Sequence, residues 1–334
     1  MKKTRLSQLL GIKYPIIQAP MAWITSAEMV AAVSNAGALG TIGPMAGVVS
    51  QSEANDFKAV EGALRQQIQE VKSLTDKPFA VNFAVGWGKQ LALTEMLVAA
   101  GIDENIKIAI VSAGSPDLFT GKLHAAGITV IHVVSSVKQA HKAVAAGVDA
   151  IVCIGYEAGG HLGSDELTTF TLIPQIADAV SKPLIAGGGI ADGRGVVAAM
   201  ALGADGVYIG TRFAATNECR AHDALKQAIV DADDTATVAF ARRTGISRCL
   251  KNDYTSKHLQ MEGAGASFEE LREYERSGDQ LKGWRRMPAA FMDGNLKYGA
   301  CACGAVAGLI KDIIPVDEVI HRIIKEYDAV KNAL

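Results

Sequence analysis

The segment Gly155-Tyr156-Glu157-Ala158-Gly159-Gly160-His161-Leu162-Gly163 places one imidazole in a glycine-rich loop directly after an apolar run ending at Cys153. Histidine exchanges protons near neutrality, its unperturbed pKa being about 6.5. Gly159 and Gly160 present backbone without side chains, so a flat ligand can lie against the chain while His161 projects towards it. Glu157 reads equally as a partner for that imidazole or as an exposed loop acid. His124, His132, His141, His222, His258 and His321 read as structural histidines that bond backbone carbonyls.

A second chemistry is carried by glycines. Pro183-Leu184-Ile185-Ala186-Gly187-Gly188-Gly189 and Gly206-Val207-Tyr208-Ile209-Gly210-Thr211 are apolar runs that both end in glycine turns. Backbone N–H groups at such turns can approach an anion, and the N-terminus of a following helix adds partial positive charge. One such turn reads as a tight connection; two in succession late in a strand series point to a phosphate. Neither turn is a Walker loop or a G-x-G-x-x-G fingerprint, so a nucleoside triphosphate is disfavoured. Asn82 ends another apolar run, where its amide can meet a ligand edge or cap a turn. Cys301 and Cys303 lack further Cys or His at zinc spacing and read as small buried hydrophobes, so no metal is expected. Trp23 reads as a core aromatic sooner than a pocket wall, and no G-x-S-x-G elbow supports a hydrolase.

These groups need a scaffold. Helix-like runs end in a small residue and glycine at Asn35-Ala36-Gly37, Ala99-Ala100-Gly101, Ala125-Ala126-Gly127, Ala145-Ala146-Gly147 and Ala201-Leu202-Gly203, each followed by a β-branched run. Glycine just past a helix closes its last turn, so each reads as a helix-to-strand junction. The following runs, such as Ile108-Ala109-Ile110-Val111 and Ala150-Ile151-Val152-Cys153, are continuously apolar, as in a parallel sheet covered on both faces. With further strands near residues 15–18, 39–42, 79–82, 128–131, 183–186 and 206–210, about eight strand–helix units result, the number a closed (β/α)8 barrel needs. A doubly wound open sheet is the alternative. Residues 214–295 are charged and helix-like without a strand run, and read as an inserted helical cap over a barrel of residues 1–213 and 296–334. Arg242, Arg243, Arg248, Lys251, Arg285 and Arg286 make the insert locally basic, but its glutamates offset them, so it reads as a solvated surface. Residues 316–330 have the spacing of a last outer helix.

The 334 residues are 49% hydrophobic, which suits substantial cores, and the net charge of −2 gives no field to attract nucleic acid or an anionic membrane. Five cysteines without an even framework, and no export signal, indicate a soluble protein of the reducing cytoplasm.

Six segments in order, residues 15–22, 32–40, 78–82, 157–161, 186–193 and 210–213, resemble the nitronate monooxygenase family, formerly the 2-nitropropane dioxygenases. The related FMN-dependent enoyl-acyl-carrier-protein reductases and NAD(P)H:quinone reductases carry nearly the same motifs. The resemblance implies a TIM barrel that holds FMN at its C-terminal mouth under a helical domain. By position, Ala19, Pro20 and Met21 would pass along the isoalloxazine, Asn82 would bond the flavin or its ribityl chain, and Gly159 and Gly160 would flank it. Gly188, Gly189, Gly210 and Thr211 would hold the phosphate, and His161 matches the active-site histidine. Ile154 departs from the polar residue many relatives carry there, and Cys301 and Cys303 are unusual in the glycine-rich return at 299–308.

The expected activity is oxidation of alkyl nitronates, or nitroalkanes, with O₂ to carbonyl compounds and nitrite. The alternative is an NAD(P)H-driven reductase acting on an enoyl thioester or a quinone. A third possibility is a catalytically idle flavin-binding barrel used for regulation.

Overall fold

The computed structural model describes Met1 and residues 3–334, the side chain of Asp279 apart. Its strands are β1 (Ile16–Gln18), β2 (Gly40–Ile42), β3 (Phe79–Ala84), β4 (Ile108–Ser112), β5 (Thr129–Val134), β6 (Ala150–Ile154), β7 (Gly160–His161), β8 (Leu184–Gly187), β9 (Gly206–Ile209), β10 (Thr237–Phe240) and β11 (Ser247–Leu250). Eight of them form one parallel sheet in the order β1-β9-β8-β6-β5-β4-β3-β2. A parallel bridge between Ile17 and Leu39 joins its two ends, and the sheet closes into a TIM barrel with helices outside.

Alternation along each strand decides what lies inside. Ile17, Ala80, Ile108, Ile110, Ile131, Ala150, Val152, Ile185 and Tyr208 pack together in the barrel interior. Their neighbours Ile16, Val81, Ala109, Val130, Ile151, Leu184, Val207 and Ile209 face the helices in the larger outer core. Both faces are buried, which is why these runs lack polar alternation. Among the elements unread in the sequence is helix Arg5–Leu10, whose Leu6 and Leu10, with Ile12, join the interior cluster. A Cβ on Gly206 would collide with Leu6, so glycine there lets the helix close the end of the barrel remote from the strand C-termini.

Four of the five expected junctions form, with Gly37, Gly127, Gly147 and Gly203 all at positive φ. The fifth does not. Helix Lys89–Asp103 runs through Gly101 and turns instead at Asn105, φ 52°. Gly101 serves packing, since a Cβ there would lie 2.8 Å from Phe83 Cζ.

The insert also departs from expectation. Besides helices Asp223–Val230, Asp253–Gly263, Phe268–Arg276 and Arg286–Met292, it contains strands β10 and β11, paired as an antiparallel hairpin. The hairpin was not legible because Thr237–Phe240 and Ser247–Leu250 are only four residues each and too short to show a pattern. The last helix, Val316–Ala333, packs on Gly193–Ala201 and Ala27–Asn35.

His132 sits on the outer face of β5, 4% exposed, with Nδ1 sealed and unpaired among the described residues. Burial pushes its pKa down to about 4, against a small opposing pull from Asp117. The unfolded chain therefore binds the proton more readily. Stability from this group is present above pH 6.5 and is lost as pH falls towards 4, a change of about 3 kcal/mol. In urea unfolding from pH 7.5 to 4.5, His132→Leu is expected to flatten the acid loss by about that amount; an unchanged slope overturns the assignment.

Candidate active site

A cavity of about 320 Å³ opens at the C-terminal ends of the barrel strands. Its floor continues the interior alternation one layer upward: Ala19, Asn82, Ala84, Ser112, Val133, Ile154, Tyr208 and Gly210 each lie two residues beyond an inward-facing position or continue that series. Asn82 is 6% exposed, and its Nδ2 donates to Ile110 O at 2.9 Å and Ser112 Oγ at 3.2 Å. The amide is therefore oriented by β4 and caps no turn. Above the floor, Ala19-Pro20-Met21 forms one wall. Ala19 N donates to Ile209 O at 2.8 Å, and Met21 N donates to Thr25 Oγ1 at 3.0 Å. Behind it Gly43 packs so closely that a Cβ would lie 2.7 Å from Met21 O.

Opposite, the two glycine turns form a cradle. Gly188 and Gly189 hold φ of 90° and 74°, a region costly for other L-residues, and a Cβ on Gly188 would lie 2.9 Å from Gly155 O. Among the described residues, nothing accepts a hydrogen bond from the backbone N–H of Gly188, Gly189, Gly210 or Thr211. Four such donors lining one cavity suit an anion. The helix contribution is smaller than the sequence suggested. Asp192 caps helix Gly193–Ala201 by accepting from Arg194 N and Gly195 N, and Glu326 accepts from Gly193 N at 2.9 Å. Of the helices that follow the two glycine turns, the one that begins at the cavity is the single turn Thr211–Ala214.

The wall beside the cradle comes from the glycine-rich return. Gly304 N donates to Thr211 Oγ1 at 2.9 Å, and Ala305 N donates to Glu157 O at 2.9 Å. A Cβ on Gly159 would lie 2.5 Å from the Cys303 carbonyl carbon, so that glycine permits the contact.

His161 lies on β7, which pairs antiparallel with β11: His161 opposes Ser247, and Leu162 N donates to Ile246 O at 3.0 Å. The expected free loop is thus a short strand held by the insert. Arg248 donates to Tyr156 O at 3.2 Å, and Arg242 donates to Tyr156 Oη at 2.8 Å and to Glu166 at 2.7 Å. Arg286, buried, donates to Tyr298 O and Tyr274 O. Arg243 donates to Ala266 O at 2.6 Å. These basic residues were expected on a solvated surface; four of the six are bound to the chain through their side chains. The imidazole keeps accessible surface in the cavity wall, yet enough protein surrounds it for desolvation to hold its pKa below 6.5. The Arg272 guanidinium adds to this, and Glu275 opposes it. Desolvation and Arg272 both bias the His161 imidazole towards its neutral form.

All eleven residues singled out from the sequence, His161, Ala19, Pro20, Met21, Asn82, Gly159, Gly160, Gly188, Gly189, Gly210 and Thr211, line this cavity. Glu157 lines it too, but neither sequence reading of Glu157 holds. Its carboxylate accepts from Thr169 N at 2.8 Å and Thr169 Oγ1 at 2.9 Å, capping helix Thr169–Ala179. Trp23 is 7% exposed in the outer core and packs edge-on against Trp284 at 5.7 Å. Cys301 and Cys303 are buried free thiols, Cys303 at the cavity, and no metal-binding cluster occurs among the described residues. None of the other six histidines lines the cavity, although their partners are not backbone carbonyls: His124 meets Asp149 at 2.9 Å and His258 meets Glu275 at 3.1 Å. Ser112, Tyr208, Met287 and Phe291 were missed. Period-two counting along β4 and β9 would have found the first two, and the i, i+4 spacing on helix Arg286–Met292 the others.

A closed parallel barrel with a backbone anion cradle and a neutral-favoured imidazole at its C-terminal mouth defines a cofactor-dependent barrel enzyme. The nitronate monooxygenase family model matches residues 3–326. The chain is 36% identical to a probable nitronate monooxygenase of Staphylococcus aureus (strain Newman), over 78% of this chain and 82% of that one. It is 30% identical to a hydroxy-methyl-oxo-octahydro-indene-carboxyl-CoA dehydrogenase of Mycobacterium tuberculosis, over 96% and 95%. A solved structure of FabK from Thermotoga maritima superposes with a TM-score of 0.87 at 36% identity, covering 100% of this chain and 98% of that one. The chain belongs to the nitronate monooxygenase family and is an oxidoreductase of the flavin-dependent kind. No helix among the described residues is long and apolar enough to cross a membrane.

Proposed function

We propose that this chain is an FMN-dependent nitronate monooxygenase that oxidises alkyl nitronates, and nitroalkanes after deprotonation, with O₂ to carbonyl compounds and nitrite. The observation that supports this best is the presence, in one cavity, of four backbone N–H groups without a partner among the described residues and an imidazole that desolvation biases towards its neutral form. The residues fit FMN. Gly188, Gly189, Gly210 and Thr211 would donate to its phosphate, Ala19, Pro20 and Met21 would flank the ring, and Asn82, Gly159 and Gly160 would complete the contact. When bound, the flavin accepts electrons from the electron-rich substrate and makes reaction with O₂ accessible. His161 removes the α-proton of a neutral nitroalkane, or donates to the nitro oxygens of a nitronate. Ile24, Pro44, Met287 and Phe291 give the cavity apolar sides that exclude water from an alkyl chain. Residues 214–295 serve as the cap that supplies Met287 and Phe291 and braces β7. Five unpaired, buried thiols suit a reducing cytoplasm.

The rival is a reductase in which NAD(P)H delivers the electrons and an enoyl thioester or quinone receives them. Likeness to a carboxyl-CoA dehydrogenase favours it. Anaerobic mixing of the flavin-loaded protein separates the two. Bleaching by ethylnitronate alone is expected; bleaching by NADH or NADPH with none by ethylnitronate sinks the monooxygenase reading.

A further inference from the structure

Of the polar floor side chains Asn82, Ser112 and Tyr208, only Tyr208 has no hydrogen-bond partner among the described residues. Its side chain points into the barrel from β9 by the alternation that turns Val207 and Ile209 outward. Around it the floor is apolar, with Ala19, Val133 and Ile154 packed against the interior cluster to which Tyr208 belongs. Gly187 leaves space for it on the adjoining strand, since a Cβ there would lie 2.5 Å from Ile154 Cδ1 and 3.3 Å from Tyr208 Cβ. The other polar floor groups, Asn82 and Ser112, bond each other and Ile110 O. The Tyr208 hydroxyl pairs with nothing among the described residues, yet it is not one of the polar atoms enclosed by protein, so it meets the cavity. Burial alone raises its pKa well above the ordinary 10, with no charged group acting on it, and the phenol remains a donor at working pH.

We propose that the Tyr208 hydroxyl is a cofactor-contact group that donates a hydrogen bond to an acceptor of the bound flavin, from a floor otherwise apolar at Ile154. The inference rests on the FMN reading above. It adds a residue to the site and a direction: the contact reaches the flavin from beneath, from the barrel interior, and not from the phosphate cradle.

Apo-protein titrated with FMN, followed by quenching of flavin fluorescence, tests it. Tyr208→Phe keeps the ring and removes the donor, so the apo-protein should melt with the wild type while FMN binds about 3- to 10-fold more weakly. A contact to the isoalloxazine also shifts the visible absorption bands and the reduction potential; a contact to the ribityl chain lowers affinity with the bands unchanged. Either result supports the contact. Equal FMN affinity in the two proteins, with identical spectra, overturns it while leaving the FMN reading intact. A wild type that binds no FMN overturns the cofactor reading itself, and this contact with it.

Discussion

Replacing His161 with alanine is expected to lower turnover of a neutral nitroalkane by about 10²- to 10⁴-fold, the range a positioned general base contributes. Turnover of a preformed nitronate should fall much less, because its α-proton is already gone. The pH profile carries the same assignment. Desolvation and the neighbouring Arg272 depress the His161 pKa, so kcat/KM for the neutral substrate rises through an inflection below 6.5 and is flat at neutrality. The alanine variant loses that inflection. Equal losses on nitroalkane and nitronate would show that His161 does not act as the base.

Gly189→Asp is expected to weaken FMN binding by about 10²- to 10³-fold. A carboxylate a few ångströms from a phosphate costs about 4 kcal/mol at an effective dielectric of 20, which sets the upper end of that range. The fold should survive the change. Aspartate is among the residues that tolerate positive φ, and the new Cβ meets Glu157 only at ordinary contact distance, 3.6 Å. Riboflavin, which has no phosphate, should lose far less affinity than FMN when both are followed by fluorescence titration. If the two ligands weaken in step, the glycine turns are not the phosphate site.

The chain shows why some of this was legible beforehand. Runs such as Ile108–Ser112 must bury both faces, so their composition announces a covered parallel strand. Gly127, Gly147 and Gly203 mark helix ends because the left-handed residue there is a local requirement. Gly101 failed as the same signal because the space it leaves is needed by Phe83, a long-range demand that local sequence does not carry. The hairpin of β10 and β11 was missed for a related reason: its strands are stabilised by pairing with each other and with β7. Glu157 went wrong because its partner, Thr169, lies on a helix whose approach depends on the barrel.

By itself the sequence determined the barrel's strand series, the glycine turns at its late strands and the candidate histidine, because each depends on contacts or backbone angles within a few residues. Only the tertiary structure decided that the insert's hairpin holds His161, that arginines brace its loop, that Glu157 caps a helix and that Tyr208 faces the cavity without a partner. Those outcomes follow from groups far apart in the chain meeting in space, where burial and hydrogen-bond satisfaction choose among partners that local propensity leaves equal.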